Sequence, residues 1–184
     1  MKVEKGNPGY IQYRKKIDLI WLLGFIVLGI AIFLTGYFIT HTRANIFTVL
    51  AVLMVLPGAK RIVALFVMIP RKSVSRERYD KVKKECTGGI LYTDYVFTST
   101  EKIMHLDFLY VKSNTVLAVV APSKQDEAYM KKYLKDSVHK ISSEYKVKVL
   151  KKDEEMIRSL RQLSQAEDIE PKETLIDFLR ASMV

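Results

Sequence analysis

One apolar stretch, residues 17–69, limits what this chain can fold into. Its first part, residues 17–40, contains Asp18 as its only charged residue. As a helix these ~24 residues measure ~36 Å, which exceeds the ~30 Å hydrocarbon core of a bilayer. A signal peptide would have a shorter apolar core and a small-residue cleavage site. The first part therefore predicts a retained membrane span.

The second part of the stretch is interrupted by Lys60 and Arg61, shortly after Pro57. Either one helix continues to the end of the stretch, or the crossing ends near Lys60 and residues 62–69 lie at the interface. An interfacial helix has a polar face, and residues 62–69 have none. We therefore expect one continuous helix, kinked near Pro57, with both charges in the inner leaflet.

Residues 41–45 form a short turn, so the two predicted spans form a hairpin. Small residues at helical spacing let helices approach closely in lipid, which favours packing within the hairpin, with self-association as the alternative. These residues are Gly24, Gly29, Ala31 and Gly36. If the hairpin is symmetric about Arg43, Asp18 lies opposite position 68, ~12 Å along the axis from Lys60. We therefore expect no direct ion pair between Asp18 and the Lys60–Arg61 pair.

The net charge of +10 lies beside the apolar stretch. Residues 1–16 contribute +4 and residues 60–84 contribute +7, whereas residues 85–184 contribute −1. Because Lys- and Arg-rich flanks stay in the cytoplasm, this asymmetry predicts a multi-pass protein of the cell membrane with both termini cytoplasmic. A nucleic-acid binder would carry its basic patch on the folded domain, so the distribution disfavours nucleic acid as a partner.

Basic residues at the end of the second span and in the connector after it predict a contact with anionic lipid of the inner leaflet or with a partner. Such clusters attract anionic lipid by ~1 kcal/mol per residue near the surface. The alternative is that they only determine topology. The candidates are Lys60, Arg61, Arg71, Lys72, Arg76 and Arg78.

The rest of the chain has the periodicities of a small folded domain. Predicted strands cover residues 90–98, 103–111, 116–121 and 144–150, and predicted helices cover 75–86, 124–142, 153–165 and 171–183. Short turns between the first three strands imply an antiparallel meander. The predicted fold class is α+β: an N-terminal transmembrane helical hairpin, then a small cytosolic domain with a four-stranded, largely antiparallel sheet and flanking helices.

The sequence accordingly divides into four segments. They are a basic cytosolic N-terminus (1–16), the two-helix transmembrane hairpin (17–69), a basic juxtamembrane helix (70–89) and the cytosolic α+β domain (90–184).

Few residues point to catalysis or to a cofactor. His41, His105 and His139 lie in different elements without zinc-ligand spacing, and the single Cys86 allows no internal disulfide. The sequence has no glycine-rich phosphate loop and no G-x-S-x-G motif. We therefore predict no catalytic residue, no metal and no cofactor. Asp94 and Asp107 lie within predicted strands, where we expect them on a solvated face of the sheet.

The order helix, three strands, helix, strand over residues 75–150 resembles the core of the PD-(D/E)xK nuclease-like fold. In that family an acid on the second core strand and an E-x-K motif on the third bind a metal ion. The resemblance implies that Asp94 or Asp107 takes the first role and that Lys124 supplies the lysine. Pro122 stands where the motif has its acid, which implies a domain that has lost metal-dependent cleavage.

A second resemblance covers more of the chain. The two spans, the stretch Leu56-Pro57-Gly58-Ala59-Lys60, the basic connector and the run at residues 92–98 (YTDYVFT) look like small uncharacterised two-span membrane proteins of Gram-positive bacteria. This resemblance implies a bacterial membrane protein and carries no activity.

Two hypotheses of function follow. The first is a non-enzymatic, membrane-anchored adaptor or scaffold that presents its cytosolic domain to a protein partner, or to a second copy. The second is a membrane-tethered nucleic-acid-binding or nuclease-like domain, for which Asp94, Asp107 and Lys124 would have to converge.

Overall fold

The structure is a computed structural model, which describes residues 3–122, 125–164 and 170–183. The chain divides into two compact units. The helical unit comprises Ile11–Arg71, and the α/β unit comprises Met1–Tyr10 together with Lys72–Val184. The short N-terminal segment is therefore grouped with the domain that follows the apolar stretch.

Three helices account for the apolar stretch. Helix α1 spans Tyr10–Thr40, α2 spans Ile46–Leu53 and α3 spans Val55–Met68. Asn45 caps α2, because its side chain accepts a hydrogen bond from the backbone N–H of Thr48. The break at Met54 precedes Pro57, which has no N–H to donate to the carbonyl four residues earlier. The helical path through Lys60 and Arg61 is confirmed, and the helix is interrupted at Met54, three residues before Pro57.

Two helices, Tyr10–Thr40 and Ile46–Met68, are long and apolar enough to cross a membrane. Their most apolar windows have mean hydropathies of 2.7 and 2.0, and only 6% of each window is buried. Large apolar side chains are exposed along both helices, from Leu19 to Ile69. A soluble domain rarely leaves so large a continuous apolar surface uncovered.

Glycines allow the hairpin helices to approach closely. A Cβ at Gly36 would lie 2.3 Å from Cβ of Phe47, and one at Gly29 would lie 3.7 Å from the carbonyl oxygen of Ala51. Nothing lies within 4 Å of a Cβ at Gly24. The prediction of hairpin packing is confirmed at Gly29 and Gly36, and Gly24 faces open space.

Replacing Gly36 with alanine should weaken the hairpin. The new methyl group overlaps Phe47, and such overpacking costs about 1–3 kcal/mol. The measurement is thermal unfolding of the full-length protein in detergent, followed by helical circular dichroism. Gly24→Ala is the matched control, since it adds the same methyl group where nothing is close. Equal melting temperatures for the two variants would contradict this packing.

The expectation that Asp18 does not pair with the basic residues of the second helix is wrong. Nη1 of Arg61 lies 3.1 Å from Oδ1 of Asp18. The contact of Gly36 with Phe47 shows that the helices are not symmetric about Arg43. In the register set by the contact of Gly36 with Phe47, position 65 lies opposite Asp18. Arg61 is about one helical turn from position 65, a distance of ~6 Å along the axis, and the arginine side chain spans it.

The α/β unit contains four strands and four helices in its described part. The elements, in chain order, are α4 (Arg76–Glu85), β1 (Ile90–Thr98), β2 (Ile103–Lys112), β3 (Thr115–Val120), α5 (Glu127–Ile141), β4 (Lys146–Leu150), α6 (Asp153–Ser164) and α7 (Glu173–Ser182). The strand order is β1-β2-β3-β4. The β1–β2 and β2–β3 pairs are antiparallel, whereas β4 is parallel to β3. The sheet is therefore mixed, and α5 is the crossover that a parallel pair requires.

Helices cover both faces of this sheet. On one face, α5 and α7 bury Met130, Leu134 and Leu179 against the strands. On the other face, α4 and α6 contribute Val82 and Leu160 to a second core. The expectation of a solvated sheet face is therefore wrong. A simple meander leaves one face open to solvent, whereas here helices pack on both faces and bury Asp94 and Asp107.

The outer edge of β1 is also occupied. The backbone N–H of Thr93 donates to the carbonyl oxygen of Gly6 at 2.8 Å. Phe97 forms an antiparallel bridge with Met183, and Nζ of Lys5 donates to the carbonyl oxygen of Met183 at 2.6 Å. Both ends of the α/β unit thus cover a strand edge that would otherwise be open to pairing.

Candidate functional site

Two buried carboxylates face each other across adjacent strands of the sheet. Asp94 of β1 and Asp107 of β2 are 0% and 2% exposed. They lie between the paired positions Thr93–Phe108 and Tyr95–Leu106. The β2–β3 register shifts at the same place. Two acids directly opposite each other are destabilising unless their charges are compensated, so the surroundings of each decide what this pair does.

Asp94 accepts hydrogen bonds from two backbone segments. Its Oδ2 lies 3.0 Å from the N–H nitrogen of Gly9, and its Oδ1 lies 2.8 Å from that of Val74. Gly9 directly precedes α1 and Val74 follows α3. One carboxylate therefore holds, within the α/β unit, the segment that leads into the helical unit and the segment that leads out of it.

The backbone of Asp94 is unusual, since its φ is +53°. This left-handed conformation is costly for most residues but is tolerated by Asp and Asn. Such strain persists where the surrounding structure holds the residue in place, and the two backbone donors to Asp94 provide that constraint.

Arg78 of α4 compensates Asp107. Nη1 of Arg78 lies 2.8 Å from Oδ2 of Asp107, an ion pair by distance rather than an aligned hydrogen bond. The same guanidinium binds Asp153, the first residue of α6, through two hydrogen bonds of 2.7 and 2.8 Å. It also lies over the ring of Phe108, 5.6 Å from the ring centroid. A bidentate arginine–carboxylate pair is among the strongest polar contacts in proteins.

This arrangement alters the pKa values of its members. Hydrogen bonding to Asp153 raises the pKa of Arg78 above its usual value. Burial raises the pKa of Asp107, Arg78 opposes that shift, and the charges of Asp153 and Asp94 add to it. Asp107 is therefore the acid in this cluster that holds a proton more tightly in the folded protein than in the unfolded chain.

Asp107 should give the protein a measurable pH dependence of stability. Because its folded pKa is raised, its stabilising contribution is complete below the unfolded pKa of ~3.9 and is lost as pH rises through the folded pKa. Asp107→Asn keeps the shape and removes this titration. We expect the unfolding free energy of the wild type, relative to Asp107→Asn, to fall as pH rises above ~4. Denaturant titrations at a series of pH values test this, and a constant difference contradicts it.

A polar pocket of about 290 Å³ adjoins the ion cluster. Arg78 and Asp153 line it, together with Pro122 after β3 and Lys151 after β4. Nζ of Lys151 lies 2.5 Å from the carboxylate of Glu127. Two of the three basic residues that line the pocket, Arg78 and Lys151, are thus paired with acids.

The residues of the nuclease-like hypothesis are only partly brought together. Asp94 and Asp107 are neighbours, and Lys124 lies outside the described residues. Within residues 3–122, 125–164 and 170–183, no three His, Cys, Asp or Glu side chains are placed to hold a metal ion. The carboxylate of Asp107 instead contacts Arg78.

The predicted lipid-contact residues occupy different environments. Lys60, Lys72 and Arg76 are exposed, whereas Arg61 pairs with Asp18. Arg71 donates to the carbonyl oxygen of Val67. The Arg78 guanidinium contacts two carboxylates of its own unit, those of Asp107 and Asp153.

Sequence reasoning missed two partners in these clusters. Asp153 begins the predicted helix 153–165, and it binds Arg78, 75 residues earlier in the chain. Asp18 binds Arg61, 43 residues later. In both cases the isolated charge was visible in the sequence, but no local pattern indicated which distant charge it contacts.

The chain matches none of the protein-family models, curated proteins or solved structures with which it was compared, so its function is inferred from its own geometry.

Proposed function

We propose that this protein is a non-enzymatic, membrane-anchored adaptor. Residues 11–71 cross the cell membrane as a two-helix hairpin, and the α/β unit binds a protein partner on the cytoplasmic side. The observation that carries this proposal is the apolar surface of α1–α3, which is exposed over the length of two membrane-spanning helices.

Lipid is the solvent that suits this surface. Each large apolar side chain left in water instead of an apolar environment costs about 1.5–3 kcal/mol, and α1–α3 expose many of them. The basic flanks on both sides of the hairpin support cytoplasmic termini. The exposed residues Lys60, Lys72 and Arg76, with Arg61 and Arg71, are the proposed contacts to anionic headgroups.

The ion cluster supports an adaptor rather than a nuclease. A metal-dependent nuclease needs carboxylates that are free to bind the ion. Here Arg78 contacts Asp107, and two backbone N–H groups donate to Asp94. The nuclease-like alternative keeps one observation in its favour, the juxtaposition of these two acids on neighbouring strands.

Cysteine labelling tests the membrane topology. Cys86, the one cysteine of the chain, is replaced by serine, and single cysteines are introduced by Thr42→Cys in the turn or Ser99→Cys in the β1–β2 loop. A membrane-impermeant maleimide should label the Thr42→Cys protein in intact cells and the Ser99→Cys protein only after lysis. The opposite pattern, or extraction of the wild type by alkaline carbonate, would refute the proposal.

Purification from the native membrane tests the adaptor role. We expect the full-length protein, solubilised in mild detergent, to elute with a stoichiometric protein partner or as an oligomer. A protein that repeatedly elutes alone contradicts the adaptor. Cleavage of DNA or RNA with Mg²⁺ or Mn²⁺ that is lost in Asp107→Asn would replace the adaptor with the nuclease-like alternative.

A further inference from the structure

The helical unit contains an apolar groove between α1 and the α2–α3 segment. Its volume is about 460 Å³, within the ~300–1,000 Å³ range of pockets that hold small ligands. Small residues deepen it, since Gly29, Ala51, Gly58 and Ala59 belong to its lining. Along α1 it extends from Leu22 to Phe33. Eleven helical steps measure ~16 Å, comparable with one leaflet of a ~30 Å hydrocarbon core.

One end of this groove is charged. Asp18 lies one helical turn before Leu22, and Arg61 adjoins Ile62, which also lines the groove. Asp18 is bracketed by Nε of Arg14 at 3.2 Å and Nη1 of Arg61 at 3.1 Å. The three side chains together carry one net positive charge.

The two arginines have capacity for a further ligand. A guanidinium has five N–H donors, and Asp18 contacts Nε of Arg14 and Nη1 of Arg61. Both arginine side chains are 35% exposed. Cζ of Arg61 lies over the ring of Trp21, 5.7 Å from the ring centroid. The remaining donors suit the oxygens of a phosphate.

We propose that this groove binds one acyl chain of an anionic phospholipid, whose phosphate contacts Arg14 and Arg61. This inference rests on the proposed membrane location and adds a specific lipid site to it. The length of the groove fits one chain of one leaflet, and its positive end fits an anionic headgroup. Lys60 does not belong to the site, because at 100° per residue it lies about 160° around α3 from the lining residues Gly58 and Ile62, whereas Arg61 lies about 60° from Gly58.

A helix from a second copy fits the groove less well. A two-fold axis normal to the membrane would place both copies of Arg14 and Arg61 at the same depth. Their like charges would then approach each other in a medium of low dielectric constant, where repulsion is strong. The charged end therefore favours lipid over self-association at this surface.

The test measures lipid bound to the full-length protein after release from nanodiscs that contain equal amounts of phosphatidylglycerol and phosphatidylcholine. Native mass spectrometry should show one phosphatidylglycerol held per wild-type chain. Gly58→Leu fills the groove, since the nearest atom to a Cβ at Gly58 is Cβ of Phe25 at 3.9 Å, and should abolish retention. Arg61→Gln should reduce the preference for phosphatidylglycerol about fivefold, the effect of one basic residue near anionic lipid.

Two controls separate the groove from general effects on the membrane surface. Gly24→Leu adds the same side chain at a position that faces open space. Lys16→Gln removes an exposed charge that lies on the opposite side of α1 from Asp18, at about 200° around the helix. Both should retain lipid as the wild type does. Unchanged retention in Gly58→Leu overturns the inference, as does cross-linking of two chains through residues of the groove. Alkaline extraction is run in parallel, because a wild type that stays in the membrane without bound lipid refutes only this inference.

Discussion

Replacing Arg78 with alanine is expected to lower the free energy of unfolding of the α/β unit by about 3 kcal/mol, the lower end of the range for breaking a buried ion pair. The lower end applies because the Arg78 side chain is 37% exposed, whereas that of Asp107 is 3% exposed. The change leaves Asp107 buried without its counter-charge and removes both hydrogen bonds to Asp153.

Hydrogen exchange in the full-length protein in detergent can measure this loss for the sheet alone. A change of ~3 kcal/mol corresponds to roughly 100-fold faster exchange of the most protected amides of β2 and β3. Arg76→Ala, in the same helix and exposed, is the matched control and should stay within ~0.5 kcal/mol. Adding Asp107→Asn to Arg78→Ala should restore part of the stability, because the uncompensated charge is then absent. If the double variant is no more stable than Arg78→Ala, the ion pair is not the cause.

Replacing Asp94 with alanine should have an effect of similar size. The N–H groups of Gly9 and Val74 lose their acceptor. A buried donor left unsatisfied costs about 1–3 kcal/mol, and the cost is smaller at Gly9, whose hydrogen bond is only partly buried. Alanine at a φ of +53° adds ~1 kcal/mol of backbone strain. We expect a total loss of about 3 kcal/mol, with increased hydrogen exchange in the segments that contain Gly9 and Val74.

Two further variants of Asp94 separate its hydrogen bonds from its backbone conformation. Asp94→Gly tolerates the left-handed φ and lacks the acceptor, so it should be nearly as unstable as Asp94→Ala. Asp94→Asn tolerates the same φ and keeps one carbonyl oxygen for Val74, so its loss should be about 1 kcal/mol. Asp80→Ala, at an exposed acid of α4, is the control. Wild-type stability in Asp94→Gly would show that the hydrogen bonds from Gly9 and Val74 to Asp94 contribute little to stability.

Local patterns in the sequence were sufficient for the secondary structure. Residues 17–40 of α1 and most of the α2–α3 segment follow from their apolar composition, and the break near Pro57 follows from its missing N–H. The four strands and the helices around them follow from side-chain periodicity. These features depend on residues that are close together in the chain, so they can be predicted from the sequence.

The sheet arrangement and the charge pairs required the tertiary structure. The parallel pairing of β4 with β3 depends on where α5 returns the chain. The buried surroundings of the two acids depend on residues distant in sequence: Gly9 and Val74 for Asp94, and Arg78 for Asp107. The ion pairs of Arg78 with Asp153 and of Asp18 with Arg61 join residues 75 and 43 positions apart. The sequence gives the sign of each charged residue and its spacing from nearby charges. The partner of each charge is set by the packing of whole elements, because a few ångströms of helix register decide which charges meet.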